Sequence, residues 1–84
     1  MQGRRIKDWD GSSLLEKGDY AKSPKDGQWY AMTPNGRLGN LGNHEVTEHE
    51  DRTITVSPSI QVTVGSFDRK PWHGYLLRGV WSEC

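Results

Sequence analysis

The chain has 84 residues, of which 32% are hydrophobic, so it has room for one small domain with a limited core. Its eleven basic and eleven acidic residues cancel, which argues against a nucleic-acid-binding protein with a basic face. No apolar run reaches the roughly 20 residues of a membrane span, and the N-terminus lacks the apolar stretch of a signal peptide. The single cysteine, Cys84, excludes an internal disulfide framework and a cysteine-rich zinc site. We therefore expect one cytoplasmic domain over residues 1–84, without cofactor, nucleic acid or membrane as partner.

Ten glycines and four prolines punctuate the chain, and no window has the apolar spacing of an amphipathic helix. Strands are predicted at residues 19–22 and 28–32, separated by a turn at 24–27. A second turn is predicted at 34–36, and the glycines after it favour a loop. The first ten residues contain no clear element, so we expect them to form a flexible arm whose basic side chains are solvated.

Residues 43–60 are the most informative stretch, because their second half alternates β-branched and polar residues as a half-buried strand does. A two-residue turn at Asp51-Arg52 would join the two halves into a hairpin. In that register His44 lies opposite Ser59, and the two side chains share a face. The other face is the expected core side and carries Ile54, Val56 and Ile60.

Two further strands are predicted after this hairpin, at residues 61–64 and 72–77. We expect Val64 to pair with Trp72 across the loop that joins them. A turn at Arg78-Gly79 then leads the chain back along the second strand. Together the elements predict an all-β fold, in which a twisted sheet built of hairpins closes into a small sandwich or an open barrel.

The candidate catalytic group is a serine–histidine pair. A serine hydroxyl is a weak nucleophile until a neighbouring base removes its proton, and histidine is the usual base. A regular ladder puts His73 on the same face as Ser59 but about 13 Å away. Pro58 is out of place in a central strand, and it predicts a bend or bulge that would re-aim Ser59. His44, by contrast, is the direct cross-strand neighbour of Ser59 in the predicted hairpin. Plain solvated surface is the competing explanation for these polar side chains.

A zinc site built from the three histidines and Glu48 is a weaker hypothesis, because His44 and His49 point to opposite faces of one strand. The tryptophans form a ligand platform in a further hypothesis. In a chain of this size, however, they are expected mainly in the core.

The run HEVTEHEDRTITVSPSI, followed by WHGYLLRGVW, resembles a small family of bacterial and phage proteins, the BubE proteins. Their genes accompany bacterial ubiquitin-like conjugation genes. The resemblance covers residues 36–84 and, more loosely, GQWYAMTPNGRLGNL. It implies a serine peptidase that trims or removes a ubiquitin-like protein, with Ser59 as nucleophile and His73 as base. His44 is then an alternative base, or the group that orients His73.

The partner implied by the resemblance is a ubiquitin-like protein or its conjugates. Its flexible C-terminal tail would suit strand addition beside an exposed strand. The cysteine-rich segments of many relatives are absent here, so no zinc site is carried over. The alternative function is a non-enzymatic phage or bacterial binding module that blocks or sequesters a host component.

Overall fold

The computed structural model describes residues 1–62 and 72–83, which form two four-stranded sheets and contain no helix. The first sheet consists, in spatial order, of β1 (Arg4–Arg5), β2 (Asp19–Lys22), β3 (Trp29–Met32) and β4 (Leu38–Asn40). The second consists of β5 (Glu45–Glu48), β6 (Ile54–Val62), β7 (Trp72–Leu77) and β8 (Val80–Glu83). The predicted all-β fold is confirmed, and the arrangement is sandwich-like.

Neighbouring strands are antiparallel except for β1 and β2, which run parallel. The predicted strands at 19–22, 28–32 and 72–77 are present to within one residue. Arg78 and Gly79 both have positive φ and form the predicted tight turn, after which Val80 pairs with Leu77. The prediction of a loop after the second turn is wrong. Gly39 pairs with Ala31, and the segment around it forms β4 at the edge of the sheet.

The main core lies between the two sheets. The first sheet and the chain after it contribute Tyr20, Ala31 and Leu41. The second sheet contributes Ile54, Val56, Ile60, Trp72, Leu76 and Trp81. The rings of Trp72 and Trp81 meet edge to face, with centroids 5.3 Å apart. The predicted core side of β6 and the predicted burial of most tryptophans are therefore confirmed.

The outer face of the first sheet is also covered, by the segment that connects β1 to β2. Trp9 and Leu15 of this segment pack with Ala21 and Met32 of the sheet. The indole N–H of Trp9 donates to the Ser13 carbonyl at 2.9 Å, so its polar atom is satisfied. The first sheet is thus buried on both faces, although the second is buried on one.

The first residues do not extend away from the domain as the expected arm. Met1 exchanges main-chain hydrogen bonds with Trp81 of β8, and the Gly3 N–H donates to the Gly79 carbonyl at 2.7 Å. Arg4 then enters the first sheet beside Asp19. The N-terminal segment therefore borders β8 and joins the two sheets.

Five residues, 49–53, separate β5 from β6, so the predicted two-residue turn is wrong. His49 pairs with Thr53, and the Arg52 N–H donates to the His49 carbonyl at 3.0 Å. Arg52 adopts φ 73°, the left-handed position that normally favours glycine in such a loop. A non-glycine residue is destabilising there by about 1 kcal/mol.

This longer loop shifts the β5–β6 register by one residue from the predicted pairing. Val46 lies opposite Val56 rather than opposite Ser57, and it packs against the main core. The shift is favourable because it puts an apolar side chain of β5 on the buried face. In this register, regular pairing would place His44 opposite Pro58 instead of Ser59.

The β6–β7 ladder is irregular, as Pro58 predicts. Val56 pairs with Leu76 and Ile60 pairs with Gly74, so three residues of β6 face one residue of β7. Beyond this point Trp72 pairs with Val62, two residues before the expected partner. The expected partner, Val64, lies outside the described residues.

Gly74 gives a test of how tightly β7 is held. A Cβ at this position would lie 2.2 Å from the Ser82 carbonyl oxygen and 2.4 Å from the Trp72 ring. Gly74→Ala should therefore lower the free energy of unfolding by about 2–3 kcal/mol. Urea denaturation followed by tryptophan fluorescence measures this loss. Ser82→Ala, an exposed change on β8, is the control and should stay within about 0.5 kcal/mol of wild type.

Candidate functional site

The structure brings Ser59 and His73 together on the exposed face of the second sheet. The Ser59 hydroxyl oxygen lies 2.8 Å from Nε2 of His73. The Ser59 side chain is half-buried and that of His73 is exposed. His73 is paired with Gln61, so Ser59 is its diagonal neighbour on the same face. Ser59 and His73 are therefore in contact, and not about 13 Å apart as a regular ladder with the predicted register would place them.

This geometry is that of a nucleophile and its general base. When the imidazole carries its proton on Nδ1, the Ser59 hydroxyl donates to the lone pair of Nε2. Heavy-atom separations of about 2.6–3.2 Å are those at which a base can take the proton as the oxygen attacks. Within the described residues, His73 makes this one side-chain hydrogen bond. The pair can therefore activate the half-buried Ser59 hydroxyl, next to a histidine that is open to solvent.

His44 reaches the same residue at a different atom. Its Nε2 lies 3.2 Å from the main-chain carbonyl oxygen of Ser59. A carbonyl only accepts, so Nε2 must carry the proton, and Nδ1 is then an acceptor. This Nδ1 is buried and has no partner among the described residues. Through this contact His44 positions the main chain of Ser59. The described hydrogen bonds of His44 involve neither the Ser59 hydroxyl nor His73, so they do not place it as the base or as the group that orients His73.

The position of this contact follows from the irregular ladder. Ser59 lies in the stretch of β6 between Val56 and Ile60, where three residues of β6 face one residue of β7. In such a stretch, main-chain groups lose their regular strand partners. His44 lies directly before β5, and its own N–H is held by the Leu41 carbonyl at 3.0 Å. Its ring thus satisfies a carbonyl at the point where the sheet is least regular.

The third histidine is separate from this pair. Nε2 of His49 lies 2.6 Å from the Thr55 hydroxyl, beside the β5–β6 loop. The same hydroxyl accepts the main-chain N–H of Arg78 at 3.0 Å. Across residues 1–62 and 72–83, no three His, Cys, Asp or Glu side chains lie where they could jointly hold a metal ion.

Exposed apolar side chains continue from the pair along β7 and β8. Tyr75 and Leu77 share the face of His73, because they follow it at intervals of two residues. Val80 is paired with Leu77 and lies on the same face. These three side chains are 43%, 50% and 40% exposed. Sequence reasoning missed this surface, although the alternation of buried and exposed residues in WHGYLL carries its signal.

Comparison with protein-family models, with curated proteins and with solved structures gives no match to this chain. The family resemblance therefore stays a prediction. The described part of the chain contains no helix that is long and apolar enough to span a membrane.

The positioning role of His44 can be tested with two substitutions. His44→Ala removes the donor to the Ser59 carbonyl and should lower the free energy of unfolding by about 1–2 kcal/mol. It should also change the ¹³C NMR shift of that carbonyl. His44→Gln supplies an amide donor of similar reach and should restore most of both. Equal losses in the two variants would show that the ring contributes packing alone.

Proposed function

We propose that the protein is a serine peptidase that processes a ubiquitin-like protein, acting on its C-terminal tail or its conjugates. Ser59 is the nucleophile and His73 is the base. The single observation that carries the proposal is the 2.8 Å contact between the Ser59 hydroxyl and Nε2 of His73 on an exposed face. The family resemblance, which is itself a prediction from the sequence, implies the same two residues in the same roles.

The reaction follows from the positions of these two groups. His73 Nε2 takes the Ser59 proton as Oγ bonds to the peptide carbonyl carbon. The imidazolium then gives that proton to the leaving amine as the C–N bond breaks, which leaves an ester on Ser59. Water attacks the ester while His73 accepts its proton. The Ser59–product bond breaks, the proton returns to Oγ, and the carboxylic acid is released.

The open location of the pair favours a macromolecular substrate. His73 is exposed, so a substrate has to provide part of the cover that excludes water during the reaction. The exposed side chains of Tyr75 and Leu77 continue from the pair along β7 and give such a substrate a surface to contact. A folded domain with an extended tail can place the tail at Ser59 and its body on this face.

Labelling with a serine-reactive fluorophosphonate tests the catalytic pair. Wild-type protein should be labelled at one site, identified by mass spectrometry as Ser59. Ser59→Ala should not be labelled, and His73→Gln should react about 100-fold more slowly because it lacks the base. Ser82→Ala is the matched control, since it removes an exposed serine of the same sheet, and it should react like wild type.

The contrary result is a folded wild-type protein that is not labelled, or is labelled equally with and without His73. Either outcome would remove the peptidase proposal. The remaining function would then be the binding module, with the exposed side chains of β7 and β8 as its surface.

The substrate class needs a separate assay. A ubiquitin-like protein with a short C-terminal extension should be cleaved by wild type at the tail and left intact by Ser59→Ala. Leu77→Ser should raise KM about fivefold with little change in kcat, because an exposed apolar contact contributes to binding. Mass spectrometry identifies the cleaved bond. Equal cleavage of the isolated tail peptide would show that the folded domain is not recognised.

A further inference from the structure

A groove of about 480 Å³ lies between the N-terminal segment, the end of β2 with the turn after it, and Arg52 of the β5–β6 loop. Its lining includes four basic residues from three separate stretches of the chain: Arg5, Lys7, Lys22 and Arg52. One carboxylate, that of Asp8, also lines it. The expected solvated basic arm is thus folded into a concave surface together with distant cations.

Arg5 is held in place at this groove by its neighbours. Its Nη1 donates to the Glu48 carboxylate at 2.5 Å and to the Arg52 carbonyl at 3.2 Å. Its guanidinium carbon lies 5.0 Å from the centroid of the Trp29 ring. Both hydrogen bonds use Nη1, so Nε and Nη2 have no acceptor in the described part of the chain. Arg5 is therefore oriented without using all of its donors.

The net charge of the groove is positive even when the nearby carboxylates are counted. Glu48 offsets the charge of Arg5, and the pKa of Glu48 is lowered chiefly by its hydrogen bond to Arg5. Lys22 and Arg52 lower it further through their charges, which indicates that they lie nearby. With Asp8 as the one lining carboxylate, the charges of the remaining cations are only partly compensated.

Arg52 is the least expected of these residues. Its left-handed φ of 73° is a position where glycine is normally favoured, yet the chain carries an arginine there. The residue at this strained position is one of those that line the groove. A ligand contact would give the arginine a role that glycine cannot provide.

We propose that this groove binds an acidic peptide segment of a partner protein. Carboxylates pair with arginine and lysine donors through charge-assisted hydrogen bonds, and Ile6 and Trp9 add apolar lining for neighbouring side chains. Four of the eleven basic residues and one of the eleven acidic residues line the groove, which leaves seven and ten elsewhere. That excess of carboxylates outside the groove disfavours a nucleic acid, whose charged backbone would extend beyond it.

Binding can be measured by isothermal titration calorimetry with an unlabelled octapeptide of alternating Glu and Leu. The same peptide with Gln in place of Glu is the ligand control and should bind at least tenfold more weakly. Affinity for the Glu peptide should fall as NaCl is raised, because exposed charges are screened. In ¹H–¹⁵N NMR, the shifted amides should lie at residues 5–9, 22, 23 and 52.

Arg52→Gly is the decisive variant, because it removes a lining cation and relieves the unfavourable φ. It should weaken binding of the Glu peptide about three- to fivefold without lowering Tm. Arg78→Gly is the matched control, since Arg78 also has positive φ in a hairpin turn but does not line this groove. Its affinity should equal that of wild type.

Three results would overturn the proposal. The first is equal binding of the Gln and Glu peptides, and the second is an equal loss in the Arg52 and Arg78 variants. The third is binding of inorganic triphosphate with no binding of the Glu peptide, which would identify a phosphate site instead. The proposal is independent of the Ser59 chemistry, so Ser59→Ala should bind the peptide as wild type does.

Discussion

The unequal residue count in the β6–β7 ladder is the constraint on which the candidate site depends. Between the pairs Val56–Leu76 and Ile60–Gly74, three residues of β6 are accommodated against Tyr75 alone. Val56, Leu76 and Ile60 of these two pairs are buried in the core. The extra residues between the pairs must therefore be accommodated toward the exposed face. Ser59 lies in this stretch, and its hydroxyl meets the histidine that a regular ladder with the predicted register would keep distant.

Packing below the sheet fixes this arrangement. Ile60 is 2% exposed, and Gly74, its partner, has no space for a Cβ because the Trp72 ring and the Ser82 carbonyl lie against it. The strand that carries His73 is therefore held on its inner side by close contacts. A pair of reacting groups keeps its geometry best when the elements that carry it are rigid. The exposed face of the second sheet can then be polar and open without loss of register.

Sequence patterns predicted the parts of the structure that depend on local rules. Alternation identified the buried face of β6, and Pro58 identified the position of the irregularity. The number of extra residues was not predictable, because it depends on which pairs of β6 and β7 the core accepts. The β5–β6 register was missed because Arg52 adopts a conformation that its side chain disfavours. The contact of His44 with a main-chain carbonyl depends on both, so no pattern in the sequence signals it.

The N-terminal segment shows the same limit over a longer range. Its two-residue strand, β1, has no periodicity to recognise, and its pairing with β2 is parallel and non-local. That pairing turns an apparently solvated basic run into one wall of a groove that is completed by residues within 22–27 and by Arg52. No residue belongs both to the lining of this groove and to the Ser59–His73 pair. Because each site has its own residues, a substitution at Arg52 and one at Ser59 test the two proposals separately, even if a single partner occupies both.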